Sequence, residues 1–293
     1  MGSGLETSMN TSPAQLASAD QVRAGFLRRA AQCLREMITE QYRYRELLFT
    51  LASRDIRARY KHSLIGVGWA VFVPVLMLVV IGTFVFRVIS VDTKGAPPLI
   101  WLYCGLLPWE FFSQSVIRGA QSLVVNRNLA TKIYFAREVL PFAAILAAGF
   151  DFLIASTVLA GMMAWYKVAP AWTIGFVPIV LLIQLVFSAG VVLLLSMVNL
   201  FYRDVGRVIS VVMRAWMFAT AVMYNIEGTS GWLRALNTVN PMTPIIMSYR
   251  ALILHGTLPD WSSLGPAAAV SVAVLLIGWT AFHLSEFRFA ENI

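Results

Sequence analysis

Of the 15 Asp and Glu residues in this sequence, Asp55, Glu110, Asp151 and Asp204 fall in or beside its apolar runs, where a carboxylate could move a proton or polarise a substrate. Acid–base chemistry wants two such groups, or one and a histidine, converging on one site. Here they are scattered. Asp55 and Asp204 each follow an arginine directly, Glu110 and Asp151 fall inside apolar runs, and His62, His255 and His283 keep no ligand-like spacing. Cys33 lies in the N-terminal tail and Cys104 in an apolar run, which suits neither a disulfide nor a metal cluster. A phosphate-binding loop ends in Gly-Lys so that the lysine reaches the β- and γ-phosphates. The lysines are Lys61, Lys94, Lys132 and Lys167, and none follows a glycine. The sequence therefore holds no ATP site, and we expect no cofactor, no metal and no catalytic residue in it. Any work it does is driven by another protein or by an ion gradient.

The elements that carry these residues belong in a membrane. Of 293 residues, 58% are apolar and 13% charged, with mean hydropathy +0.71. Soluble domains sit nearer 45–50% apolar and ~25% charged. A spanning helix needs ~20 mostly apolar residues. Three stretches between charges suffice alone: Lys61 to Arg87, Lys167 to Arg203, and Asp260 to Glu286. Three more carry a charge: 99–117 with Glu110, 139–166 with Asp151, and 205–224 with Arg207 and Arg214. Hydropathy tolerates such a charge where it faces a bundle interior or cavity. The expectation is an all-α integral membrane protein with six transmembrane helices, at about 66–87, 99–117, 139–166, 172–200, 205–224 and 261–284, within a 66–286 transmembrane domain.

Positive charge fixes the orientation. With the N-terminus inside, the other side keeps only Arg87, Lys94, Lys167, Arg234 and Arg250. Both termini are then cytoplasmic, with a flexible tail over 1–25 and a short tail over 287–293. No apolar core of a signal peptide precedes residue 65. Between 26 and 65 apolar residues recur at helical spacing with Arg and Glu between them, as in a helix lying on an anionic membrane surface. Arg54, Arg57, Arg59 and Lys61 pin the boundary of the first span, and Arg54, Asp55 and Arg59 could pair along the helix. Residues 225–260 are too long for a hairpin and too mixed for a span; Pro241 and Pro244 break them, and paired re-entrant helices before the last span fit.

The order of residues in "RDIRARYKHSLIGVGWAVFVP" resembles the first span of ABC-type polysaccharide exporter permeases, at Arg54, Asp55, Ile56, Arg59, Tyr60, Ser63, Leu64, Gly66, Trp69 and Pro74. Position 57 is Arg rather than Lys, and Ile65 is interposed between Leu64 and Gly66. "YCGLLPWEFFSQSV" (103–116), "TKIYFAREVLP" (131–141), "NLFYRDVGRVI" (199–209) and "NPMTPII" (240–246) are similar to later stretches of that family in the same order. The terminal "FRFAENI" resembles the ends of permeases for lipid-linked O-antigen. The resemblance runs from about Arg45 to the C-terminus.

What the resemblance implies is a homodimer in the bacterial inner membrane, with a cytoplasmic ATPase subunit in two copies that brings ATP and magnesium. The cargo would be a glycan on a polyprenyl diphosphate. Membrane lipids and a second copy of the chain are expected partners; nucleic acid is not. Capsule or teichoic acid polymers, or a small lipid or drug, are alternative cargoes. A proton-coupled carrier using Asp151 and a membrane-embedded transferase are alternatives of other classes.

Sugar rings stack weakly on aromatic faces, so an aromatic path lets a polymer slide. Trp69 and Phe72 in the first span and Trp216, Phe218 and Tyr224 in the fifth are candidates to line it, with Trp109, Phe111 and Phe112 near the exit. Each aromatic alone is equally suited to a membrane belt or to packing. Arg54, Arg59, Tyr60 and Arg214 are candidates for the cytoplasmic entrance, where a diphosphate would arrive. Arg127, Lys132, Ile133, Tyr134, Phe135 and Arg137 in the 118–138 loop, with Tyr202, Arg203 and Asp204, are candidates for coupling to the ATPase; aromatics in a basic rim suit a partner groove. Asp151 reads as the deepest charge and as a structural pair.

Overall fold

The computed structural model describes residues 43–61, 66–88, 93–132, 135–226 and 231–292. The chain divides into two compact units, 1–46 and 47–293. Only residues 43–46 of the first are described, so most of the surface helix expected from residue 26 lies outside the described residues.

Every regular element among the described residues is helical. α1 is Arg45–Tyr60, and a 3-10 turn at Gly66–Gly68 leads into α2, Trp69–Val88. α3 is Pro98–Val125, α4 Arg127–Lys132 and α5 Val139–Trp165. After a 3-10 turn at Trp172–Phe176 come α6, Val177–Phe201, and α7, Val205–Ala219. Two short helices follow, α8 at Gly231–Val239 and α9 at Met242–Arg250, then a π-helical turn at Ala251–His255. α10 is Trp261–Asn292.

Among the described residues, three segments are long and apolar enough to cross a membrane: Val139–Trp165, Trp172–Phe201 and Trp261–Ser285. The apolar part of α2 is shorter, at Trp69–Val80. α7 is the clearest departure from expectation. It has 15 residues, about 22 Å at 1.5 Å per residue, against a hydrocarbon core of ~30 Å. It stops at Ala219, and Thr220 is extended at φ −102°, ψ 146°.

α3 is the hub. It packs on α2, α5, α6, α7 and α9. Its 28 residues bury a continuous side built from Ile100, Leu102, Tyr103, Phe112, Val116 and Leu123. Pro108 sits inside it, and the buried Gln184 amide of α6 donates to the Pro108 carbonyl at 2.6 Å. Further polar stitches join the helices where lipid offers no water. Tyr103 Oη donates to the Ala155 carbonyl at 2.9 Å, and Asn199 Nδ2 to the Ala120 carbonyl at 2.9 Å.

α6 and α10 meet most closely at two glycines. A Cβ on Gly190 would lie 2.5 Å from the Leu275 backbone nitrogen, and one on Gly278 would lie 2.5 Å from the Gly190 carbonyl oxygen. Small residues there let two backbones touch, the usual way helices associate in lipid.

Candidate functional site

α1 is tied to the bundle by its polar residues. Arg54 bonds to neighbouring Asp55 at 2.9 Å and to Asn126 Oδ1 at 2.6 Å. Asn126 caps α3 and donates to the Ser122 carbonyl at 2.9 Å. A guanidinium at a helix C-terminus meets its partial negative charge, so the contact is favourable twice over. Arg54, Arg57 and Lys61 also border an open groove of about 580 Å³ along α1.

Arg59 does not pair with Asp55. Its guanidinium bonds to Asp151 of α5. Arg118 of α3 donates to the same carboxylate oxygen at 2.8 Å, and Tyr60 Oη donates to Asp151 Oδ1 at 2.6 Å. All three charged side chains are largely covered, at 21–30% exposure. Burial first, and then the bond to Asp151, pushes the Tyr60 phenol up to about 12, so it stays a donor throughout the physiological range. Asp151 is therefore no isolated carboxylate. The pairing expected for it is made with Arg59 of the first-span motif and with Arg118 of α3, beside Tyr60.

Arg118 and Asn126 were not singled out by sequence reasoning. Arg118 carried a weak signal, a charge just inside the end of an apolar run. The expected entrance residue Arg214 stands apart, exposed on α7.

The aromatic candidates divide in two. Trp69 and Phe72 stack edge to face at 5.4 Å on α2 and are 42% and 46% exposed. Phe218 on α7 is 63% exposed. Trp109 and Phe112 are buried instead, both edge to face with the half-buried Trp216, at 6.2 and 5.4 Å. Phe111 packs on Phe152 of α5 at 5.2 Å. These rings on α3 fill the core, and a sugar could stack on them only by unpacking it. Tyr224 accepts from Asn237 Nδ2 at 2.8 Å, which binds the end of the α7 segment to α8.

At the same end lies a residue the sequence offered only as an outside charge. Arg250 is buried, its guanidinium 3.5 Å from the Trp101 ring centroid. It donates to the carbonyls of Ala221, at 2.8 Å, and Val222.

The coupling candidates are less gathered. Arg127 opens α4 and Lys132 ends it, while Ile133 and Tyr134 lie outside the described residues. Phe135 is buried at 5% exposure, so its ring faces the chain's own core rather than a partner groove, and Arg137 is half-buried. Tyr202, Arg203 and Asp204 are exposed together between α6 and α7, and Asp204 pairs with Arg207 at 3.6 Å rather than with Arg203. No group of three or more metal-ligating side chains gathers among the described residues.

Residues 46–254 match the model of the ABC-2 type transporter family. The chain is 32% identical over 262 residues to the O-antigen export system permease protein RfbA of Myxococcus xanthus, covering 88% of this chain and 99% of that protein. It is 27% identical over 248 residues to RfbA of Klebsiella pneumoniae, covering 84% and 94%. It is 22% identical over 239 residues to the polysialic acid transport protein KpsM of Escherichia coli, covering 80% and 91%. The family match spans the motif of α1, the hub helix α3 and the short helices α8 and α9 alike, and this chain belongs to the ABC-2 type transporter family.

Proposed function

We propose that this chain is the permease subunit of an ATP-driven exporter that carries a polyprenyl-diphosphate-linked polysaccharide, an O-antigen, across the bacterial inner membrane. The observation that carries this reading is the end-to-end similarity to an O-antigen export permease at 32% identity. The chain performs no covalent chemistry in this account. A separate cytoplasmic ATPase, in two copies, supplies ATP and magnesium.

In this reading six segments cross the membrane and both termini are cytoplasmic. α7 crosses with the help of the extended Thr220 and the turn after it, and α8 and α9 dip back into the exit side. Two copies enclose the path, since one six-helix bundle is a narrow housing for a polymer. Trp69, Phe72 and Phe218 are exposed as sugar-stacking rings should be. Arg54, Arg59 and Tyr60 sit at the entrance end, joined to α3 and α5 through Asn126 and Asp151. The exposed Tyr202, Arg203 and Asp204, with α4, face the motor.

The test is made in the source cell. Depleting the chain and following labelled polyprenyl-linked glycan should leave finished glycan facing the cytoplasm, and an ATPase-dead partner should do the same. Glycan still reaching the periplasm with a dead partner would point to a proton-coupled carrier. Undiminished export after depletion would sink the assignment.

A further inference from the structure

Glu110 is the exposed carboxylate midway along α3, and nothing in the ion pairs described so far uses it. It sits twelve residues after Pro98 and fifteen before Val125. Its neighbours Trp109 and Phe111 are buried on either side. Gln114, one turn on, donates to Glu110 Oε1 at 2.7 Å and so holds the carboxylate in place. A carboxylate facing hydrocarbon is costly, so this face of α3 is turned to water or to a polar occupant.

The contacts of α3 show where that face lies. Trp109 meets Trp216 of α7, while Tyr103, Phe111 and Arg118 meet α5. At 100° per residue, Glu110 points between those two directions, at the edge of the α5 side, and Gln114 lies next to it on the α5 side. α2 packs on both α3 and α5, so it forms the wall on the α5 side. The floor is thus flanked by the helix of Trp69 and Phe72 and by the helix of Phe218.

Arg214 belongs to the same level. Gln121 reaches the Gly206 carbonyl at 3.4 Å and Trp109 meets Trp216, which sets α3 and α7 antiparallel. Arg214, two residues before Trp216, then stands within about one helical turn of the height of Glu110. Both are exposed and neither is paired with the other. Two opposite charges on adjacent helices, in a bundle whose α2 and α7 also carry exposed aromatic rings, match the chemistry of a pyranose: hydroxyls to donate and accept, and C–H faces to stack.

We propose that Glu110, preset by Gln114 and at about the height of Arg214, is the polar contact of the translocation path, accepting hydrogen bonds from sugar hydroxyls as the glycan passes. This rests on the export reading above and adds a residue to it. A carboxylate that releases each ring as the next arrives would favour movement over tight binding.

The experiment uses the full permease–ATPase complex in native membranes, with Glu110→Leu, Glu110→Gln and Arg214→Met, and a photoreactive residue in place of the exposed Val211 of α7 to capture labelled polyprenyl-linked glycan. Loss of a hydrogen bond to a charged group should slow export about tenfold or more in Glu110→Leu, with Glu110→Gln in between. Glu110→Leu should also lose the glycan adduct at 211 while the complex keeps its wild-type thermal midpoint. Wild-type export by Glu110→Leu overturns the proposal. So does rescue of Glu110→Arg by Arg214→Glu together with recovery of a lost dimer, which would mark an ion pair between copies. Failure of the export reading is distinguished because the wild-type complex would then yield neither export nor adduct.

Discussion

The guanidinium of Arg250 lies 3.5 Å from the centroid of the Trp101 ring, and both residues are buried. The pair joins α9 to the start of α3, and the two remaining directions of the fork reach the carbonyls of Ala221 and Val222 beyond α7. No carboxylate pairs with this buried cation among the described residues; ring face and backbone dipoles hold it instead. Gly105 leaves the room, since a Cβ there would lie 2.3 Å from Arg250 Nη2. Replacing Arg250 by Met should strand those carbonyls and lower stability by about 2–4 kcal/mol. Gly105→Ala should destabilise by pushing the guanidinium off its seat. Thermal unfolding of the purified complex in detergent measures both; an unchanged midpoint in Arg250→Met would show that the seat is dispensable.

Asp151 holds two guanidiniums and a phenol, so its removal should be felt at all three. Asp151→Ala leaves Arg59 and Arg118 largely covered and facing each other without a counter-charge. Partial exposure softens the cost, which we put at about 1–3 kcal/mol. The companion variant Asp151→Asn separates structure from transport. As a brace, it should weaken the fold yet leave export dependent on the ATPase. Wild-type transport that survives an ATPase-dead partner, together with its loss in Asp151→Asn, would return Asp151 to a proton carrier's role.

The helical class and the order of motifs were legible because apolar runs and prolines are local signals. "RDIRARY" announced a special first-span entrance, and the structure places its Arg59 and Tyr60 on Asp151, 92 and 91 positions away. No periodicity supplies such a partner, so the sequence gives no sign of which residues, Arg118 among them, meet Asp151. Arg250 was hidden for the same reason, its partner Trp101 standing 149 positions earlier. The end of α7 at Ala219 was also illegible. Nothing in "TAVMY" breaks a helix by propensity; Arg250 takes the carbonyls that a longer helix would have used. The aromatic run "PWEFF" looked uniform in sequence, but helical rotation buries Trp109, Phe111 and Phe112 and leaves Glu110 outside.

The Gly190–Gly278 contact predicts a steep size dependence. Gly190→Ala drives a methyl into the α10 backbone at Leu275, and backbone cannot swing aside as a long side chain can. Overpacking of this kind typically costs about 1–3 kcal/mol. Gly161, whose Cβ would meet nothing within 4 Å, is the control on a neighbouring helix. Gly190→Ala and Gly278→Ala should reduce the yield of folded protein in the membrane, with Gly161→Ala near wild type. Equal yields of all three would mean α6 and α10 do not approach as described.

His255 gives the fold a pH dependence whose sign follows from its surroundings. Burial first, then the charges of Lys94 and Arg250, lowers its affinity for a proton below the ordinary 6.5. The folded chain thus prefers neutral imidazole, while the unfolded chain takes up a proton near 6.5. Below that value the unfolded state binds more protons, so stability rises with pH there and falls as the medium is acidified. The loss should begin below about 6.5 and level off once pH drops past the lower folded value. Hydrogen exchange of the Ala251–His255 turn, followed from pH 7.5 to 5, should show protection falling with acid. His255→Asn removes the titrating group and should flatten that curve. A turn equally protected across the range, or an unchanged slope in His255→Asn, would assign the acid response to another group.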